Sequence, residues 1–172
     1  MTLSEAVMRF LEYCELDKNL SQKTVRMYSY YLTFFKDWIH GVKKIDEIEV
    51  EDITAEDVRD FRLYLSRNYK NIYKGELKQQ TQNYFLVALR SMFRYLLKQK
   101  KKVISPEMIE LGKRRDRTIK FLSPEDLQRL FDSVDTIDEM GLRDMAILQV
   151  LFSTGLRVSE LAKLDRDQVN TK

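Results

Sequence analysis

The sequence predicts a mainly α protein, and two observations support this prediction. The 172 residues include only 5 Gly and 2 Pro, too few turn-forming residues for an all-β protein with many hairpins. Apolar residues instead recur at intervals of three and four, the spacing of helices with one buried face. The length allows one domain or two small ones, with enough residues to bury a core.

The first 102 residues are predicted to form a bundle of four helices. The predicted spans are a first helix after Thr2, a second from Ser21 to Gly41, a third from Thr54 to about Arg67, and a fourth from roughly Gln79 to Lys100. Ser21 and Thr54 are suitable N-caps, because a hydroxyl can accept a hydrogen bond from the first turn. Residues 42–53 are predicted as a linker with short extended character, and residues 69–78 as a flexible basic loop.

Residues 103–120 are predicted to be a basic linker that ends the first domain. Pro106 and Gly112 interrupt the helical periodicity there. A second helical region, residues 121–172, then begins with Ser123 as the N-cap and Pro124 at the first helical position. These features divide the chain into segments 1–102, 103–120 and 121–172.

Charge is unevenly distributed along the chain. Residues 1–65 carry a net charge of −4 and residues 121–172 a net charge of −4. Residues 66–120 carry 15 basic and 4 acidic groups, a net charge of +11. A block of positive charge of this size favours a polyanionic partner, and duplex DNA is the obvious one. The alternative is a solvated surface with no partner.

The candidate DNA contacts are polar and basic residues at two helix starts, on the fourth helix and in the linker. Helix N-termini attract phosphate, and Gln and Asn side chains can bond adenine at two positions. An ordinary exposed helix face would show a similar mixture of residues. The candidates are Ser21, Gln22, Lys23, Thr24, Arg26, Lys78, Gln80, Thr81, Asn83, Arg90, Lys113, Arg114, Arg115, Arg117 and Lys120.

A tight turn near the end of the sequence contains the candidate phosphate-binding arginine. The apolar run from Met145 to Phe152 stops at Gly155, which can adopt the left-handed conformation that ends a helix. Arg157 follows at the start of the next helix, where a rigidly held guanidinium can bind two phosphate oxygens. A pairing of Arg157 with Glu160 is the alternative.

Two segments resemble the tyrosine recombinases, the family of the phage integrases and Xer-type enzymes. Residues 154–161, Thr-Gly-Leu-Arg-Val-Ser-Glu-Leu, resemble the motif that contains the first catalytic arginine of these enzymes. Residues 88–96, Ala-Leu-Arg-Ser-Met-Phe-Arg-Tyr-Leu, resemble the last helix of their N-terminal domain. The resemblance extends over nearly the whole chain and is specific only at residues 154–161.

The resemblance implies a fold and a role for each segment. It implies a four-helix core-binding (SAM-like) bundle, a basic linker that joins two arms of a C-shaped DNA clamp, and the first helices of a catalytic domain. Arg157 would bind the scissile phosphate, and Glu160 would orient the turn. The full-length enzyme would break and rejoin DNA through a 3′-phosphotyrosine link, and it would assemble as a tetramer on two DNA sites without a cofactor.

The chain departs from the family pattern after residue 164. The family also uses a later lysine, a His-x-x-Arg group, a further His or Trp, and a nucleophilic tyrosine. All nine tyrosines of this sequence precede Arg157, and the lone histidine, His40, lies at the end of the second helix. We therefore expect this chain to bind duplex DNA as a monomer without cleaving it.

Two further interpretations remain open from the sequence. A non-catalytic helical DNA-binding regulator derived from the family would lack the later catalytic residues in its gene. A protein-interaction adaptor would show weak, salt-insensitive DNA binding.

Composition excludes several other classes of protein. The single cysteine, Cys14, excludes a disulfide within the chain and a cysteine-cluster metal site, and it lies on the apolar stripe of the first helix. No metal or cofactor site is expected. No apolar run approaches the ~18 residues of a membrane span and no leader is evident, so a cytoplasmic protein without a membrane partner is predicted.

Overall fold

The computed structural model describes residues 1–71, 75–113 and 120–168. The chain divides into two compact units, Met1–Asp116 and Arg117–Lys172. Seven α-helices lie in the described residues, together with one short hairpin, so the predicted mainly α architecture is confirmed.

The N-terminal unit contains the four predicted helices. They are α1 (Leu3–Leu16), α2 (Gln22–Lys43), α3 (Ala55–Arg67) and α4 (Gln79–Lys98). The predicted stop at Gly41 is wrong, because α2 continues to Lys43 and ends where Lys44 adopts a left-handed conformation with φ of 54°. The loop predicted after α3 contains a hairpin of two-residue strands, β1 (Lys70–Asn71) and β2 (Gly75–Glu76).

The core of this unit lies around α4, which contributes nine buried residues. Phe61 of α3 and Phe85 of α4 are buried, with ring centroids 6.1 Å apart. Phe35 and Trp38 of α2 pack against Phe61 at centroid distances of 4.9 and 5.1 Å. Aromatic side chains remove large apolar areas from water, so this cluster supplies a large share of the hydrophobic stabilisation.

The predicted linker begins too early, because residues 103–113 pack against the bundle. The segment forms a 3₁₀ turn at Pro106–Met108, and Ile109 is only 1% exposed. Val103, Ile104 and Leu111 also contact the core. Residues 103–113 therefore belong to the N-terminal unit.

The start of α3 is fixed by a capping box with a third partner. The Asp57 carboxylate accepts hydrogen bonds from the Thr54 backbone N–H at 2.8 Å and the Thr54 hydroxyl at 2.9 Å. The Lys43 ammonium donates to the same carboxylate at 2.8 Å. Burial raises the pKa of Asp57, but the bonds from Lys43 and Thr54 together outweigh it, so the pKa lies below its ordinary value.

We expect Asp57→Asn to lower the free energy of unfolding by about 1–2 kcal/mol at pH 7. The pKa of Asp57 is lower in the folded state than in the unfolded state, where it is about 4. Ionised Asp57 therefore stabilises the fold fully above about pH 4, and this stabilisation is lost as the pH falls through the folded-state pKa. The difference between wild type and variant should therefore shrink between about pH 5 and pH 3. Urea unfolding across this pH range measures the difference in free energy of unfolding. An equal difference at every pH would contradict the assignment. Asp60→Asn is the control, because Asp60 is exposed on the same helix.

The C-terminal unit contains three helices, α5 (Pro124–Asp132), α6 (Glu139–Thr154) and α7 (Val158–Leu161). Ser123 caps α5 as predicted, accepting a hydrogen bond from the Asp126 N–H at 3.1 Å. Phe131 and Phe152 meet edge to face at 6.0 Å. None of the described residues of these helices is buried, and Ile137 between α5 and α6 is 91% exposed. Along the described chain, no helix combines the length and hydropathy needed to span a membrane.

Candidate nucleic-acid interface

The start of α2 contains five of the predicted DNA contacts. Ser21 caps the helix by accepting from the Thr24 N–H at 3.3 Å, and the two hydroxyl oxygens lie 2.9 Å apart. Gln22 donates to the Glu15 carboxylate at 2.6 Å. These three polar side chains are therefore held in place by local partners.

Lys23 and Arg26 are the two cations in the first turns of α2. Both are exposed, and neither forms an ion pair within the part of the chain that the structure describes. They lie in the first turns of a 22-residue helix, whose N-terminus has a partial positive charge. Both features favour a phosphate ligand at this end of α2.

The start of α4 is the second predicted contact region. Lys78 occupies the N-cap position, with no hydrogen bond from its side chain to the helix. Gln80 is exposed and donates to the Tyr84 hydroxyl at 2.6 Å, whereas Thr81 is half-buried. Lys78 and Gln80 are thus available to a ligand, and Thr81 is only partly available.

Asn83 is not available to a ligand, which corrects the prediction for this residue. Its side chain is 4% exposed. The amide donates to the Gly112 carbonyl at 2.9 Å and accepts from the Gly112 N–H at 2.9 Å. Both ends of the amide are therefore used to hold residue 112 against α4, and Asn83 is a structural residue in this fold.

Arg90 is also engaged within the protein. Its guanidinium donates to the Ile109 carbonyl, and its Nε atom is buried without a partner among the described residues. The Arg62 guanidinium of α3 donates to the Glu110 carbonyl at 3.4 Å. Together with Asn83, these side chains hold the backbone of the segment from Ile109 to Gly112, so we correct the expectation that Arg90 contacts DNA.

The two helix starts are not adjacent. Tyr28 near the start of α2 lies beside Ser91 and Tyr95 in the second half of α4. The start of α4 instead approaches the middle of α2, where Tyr31 and Phe85 lie 4.6 Å apart between ring centroids. A helix rises 1.5 Å per residue, so the two starts are separated by about 20 Å. One phosphate cannot contact both regions.

The connecting segment is described only at its two edges. Lys113 and Lys120 are exposed, as a contact with a phosphate backbone requires. Arg114, Arg115 and Arg117 lie outside the described residues.

The turn between α6 and α7 has the predicted geometry. Gly155 ends α6 in the left-handed conformation, with φ of 67°. The Glu160 carboxylate accepts from the Arg157 backbone N–H at 2.8 Å and from its guanidinium at 2.8 Å. These two bonds hold the pKa of Glu160 below its ordinary value, and the bond from the backbone N–H has the larger effect. Arg157 therefore pairs with Glu160, the alternative raised from the sequence. Its side chain nevertheless remains 82% exposed.

Comparison with protein families decides the identity of the chain. Residues 7–100 match the phage integrase N-terminal SAM-like domain, and residues 120–172 match the phage integrase family. The chain belongs to the phage integrase (tyrosine recombinase) family. The family match also confirms the SAM-like character predicted for the first four helices of this integrase-family chain.

Curated relatives of this integrase-family chain include Xer proteins. It is 30% identical over 167 residues to tyrosine recombinase XerC of Bacillus subtilis, covering 95% of this chain and 51% of the relative. It is 28% identical over 169 residues to tyrosine recombinase XerD of Listeria innocua, and this match covers 98% of this chain and 54% of the relative. The chain thus spans about half the length of the curated relatives it matches. A crystal structure of XerA recombinase superposes with a TM-score of 0.48 and 23% sequence identity. The superposition covers 98% of this chain and 52% of the XerA chain.

The structure identifies three further candidate phosphate-binding cations in this integrase-family chain, which the sequence predictions did not include. Lys18, Arg94 and Lys98 line one cavity between the end of α1, the start of α2 and the second half of α4. The spacing of Arg94 and Lys98, four residues apart on one helix face, could have identified two of them. Lys18 lies 76 residues before Arg94, so only the folded chain shows that it belongs to the same group.

Proposed function

We propose that this chain is the N-terminal portion of a tyrosine-type site-specific recombinase or integrase. The full-length parent would break and rejoin DNA through a 3′-phosphotyrosine link and would assemble as a tetramer on two DNA sites. The chain alone, as a monomer in the cytoplasm, would bind duplex DNA without cleaving it. Arg157 carries the proposal, because it is exposed on a fixed turn within the residues that match the integrase family.

The turn suits Arg157 to an anionic ligand. The Glu160 carboxylate makes two bonds to Arg157, one to its backbone and one to its guanidinium. The backbone bond can keep the turn in place when the guanidinium moves to a phosphate. An arginine can then bind two phosphate oxygens in parallel, which fixes the orientation of the phosphate.

The N-terminal unit would supply most of the affinity for duplex DNA. Its exposed predicted cations are Lys23, Arg26, Lys78 and Lys113, and Lys120 adds an exposed cation at the start of the second unit. Residues 66–120 carry a net charge of +11, which attracts a polyanion over the whole segment. Contacts to phosphate position a protein on DNA and do not read its sequence, so we expect weak sequence preference from these residues.

We expect the affinity for a fluorescently labelled duplex to fall steeply as salt is raised. Each phosphate contact should contribute about −0.9 to the slope of log affinity against log salt concentration. Fluorescence anisotropy measures the slope. The double variant Lys23→Ala/Arg26→Ala should make it shallower by about 1–2.

A matched control removes two exposed cations from other places on the same unit. Lys44 lies at the opposite end of α2, and Arg59 lies on α3. Lys44→Ala/Arg59→Ala should leave the slope close to that of the wild type. A slope near zero for the wild type would mean that the positive segment is only a solvated surface, and the DNA-binding proposal would fail.

Cleavage is tested separately from binding. A transesterification that uses a tyrosine nucleophile leaves a covalent link between protein and DNA, which resists denaturation by detergent. No tyrosine follows Arg157 in this sequence, so we expect no covalent adduct after incubation with duplex DNA. Detergent gels would show this, and a covalent band would contradict the proposal that the chain alone does not cleave.

A further inference from the structure

A cavity on the N-terminal unit combines three cations with aromatic walls. It has a volume of about 220 Å³ and lies between the end of α1, the turn into α2 and the second half of α4. Lys18 contributes a cation from the turn, and Arg94 and Lys98 contribute two from α4. The Ser91 hydroxyl lies on the same wall of α4. Among the described residues that line the cavity, none is acidic.

The cations of this cavity have no direct carboxylate partner among the described residues. Over the described ranges, Lys18, Arg94 and Lys98 form no ion pair with any carboxylate. Arg94 and Lys98 are four residues apart on one helix, a spacing at which like charges repel each other. Glu107 interacts electrostatically with Arg94 without forming an ion pair with it, and Glu12 and Asp17 line a neighbouring groove that shares Tyr13 and Tyr95 with the cavity. An anion in the cavity would relieve this repulsion.

Aromatic rings form the remaining walls. The Phe10 ring lies 5.7 Å from Tyr28 and 5.8 Å from Tyr95, measured between centroids. Tyr13 lies 4.7 Å from Tyr95, and the Lys18 ammonium lies 5.8 Å from the centroid of the Tyr13 ring. Because the rings pack against one another, the cavity wall is fixed before any ligand enters. Such a wall suits an apolar or planar group attached to the anion.

We propose that this cavity binds the phosphate of a nucleotide unit, with Lys18, Arg94 and Lys98 on the phosphate and the aromatic walls beside the sugar or base. Two sources have this chemistry, the backbone of a bound DNA and a free nucleotide. The DNA source rests on the proposed function, since it requires a duplex on this face. Leu20, next to the N-cap of α2, also lines the cavity, so the site adjoins the cations at the start of α2.

Amide resonances test the site directly. ¹H–¹⁵N spectra would be recorded with inorganic phosphate, with thymidine 5′-phosphate and with a DNA duplex, and the amides of Lys18, Ser91 and Tyr95 would be followed. We expect these amides to shift with the duplex or with the free nucleotide. Shifts with the free nucleotide identify a nucleotide site, and shifts with the duplex alone assign the cavity to the DNA backbone. Shifts with inorganic phosphate alone, or with none of the three ligands, would overturn the proposal.

A double variant separates this cavity from general electrostatic attraction. Arg94→Ala/Lys98→Ala should weaken binding of the shifting ligand by about tenfold, because two charged hydrogen-bond donors are lost. Lys100→Ala/Lys102→Ala is the matched control, since both lysines are exposed just beyond α4 and neither lines the cavity. Equal losses in both variants would overturn the proposal. Arg94 and Lys98 are exposed, so the fold should persist in the variant.

The outcomes distinguish this inference from the proposed function. If the duplex binds and the cavity amides do not move with any ligand, the cavity inference fails and the DNA-binding proposal stands. If the nucleotide shifts the amides and no duplex binds, the cavity inference stands and the DNA-binding proposal fails.

Discussion

Replacing Asn83 by alanine is expected to lower the free energy of unfolding of the N-terminal unit by about 2–3 kcal/mol. The variant would leave both the N–H and the carbonyl of Gly112 without their partner, and both bonds are 2.9 Å long in the wild type. The loss is costly because Asn83 is buried and Gly112 is half-buried, so solvent replaces the missing bonds only in part. Urea unfolding monitored by the fluorescence of Trp38, the sole tryptophan, measures the effect.

The same variant separates a structural role from a DNA contact. A structural Asn83 predicts a large loss of stability and little change in duplex affinity at temperatures where the variant remains folded. Gln80→Ala is the control for stability alone and should leave it nearly unchanged, because Gln80 is exposed on the same turn of α4 and its recorded partner within the described residues is the Tyr84 hydroxyl. Full stability with a large loss of affinity would show that Asn83 reaches DNA after all.

Replacing Phe61 by alanine is expected to have the largest effect on stability, about 3–5 kcal/mol. Phe61 has no exposed surface, and it contacts the rings of Phe35, Trp38 and Phe85. The substitution leaves a cavity that these stiff rings cannot fill. Urea unfolding measures the effect. We expect either a loss of cooperative unfolding or a lower urea midpoint that corresponds to this change in free energy.

Leu63→Ala gives the comparison for Phe61, since Leu63 lies on the same helix and is 38% exposed. It should cost less than about 1 kcal/mol, as expected for a surface position. If both variants were equally stable, the cluster around Phe61 would not be the centre of the core.

Much of the fold could be predicted because its signals are local. Thr54, the predicted N-cap of α3, lies three residues from Asp57, so the capping box that they form depends on no distant part of the chain. Gly155 stops α6 by its own conformational freedom, which depends on no distant residue. Gly41 is not the stop because a glycine is tolerated inside a helix, and the left-handed residue that ends α2 is Lys44.

The sites that could not be predicted depend on distant partners. Asn83 and Gly112 are 29 residues apart, and Arg90 and Ile109 are 19 residues apart. An amide or guanidinium has the same appearance in a sequence whether it faces solvent or a backbone carbonyl. The cavity beside Lys18 was missed for the same reason, because its cations come from two separate helical regions.

The packing of residues 103–113 determines where the N-terminal domain can be separated from the rest of the protein. A fragment that ended at Lys102 would lose Ile109, which is 1% exposed, and would uncover the apolar surface beneath it. The same fragment would leave the buried amide of Asn83 without the Gly112 backbone. A fragment that keeps these contacts must therefore extend at least to Gly112, ten residues beyond the predicted boundary at Lys102.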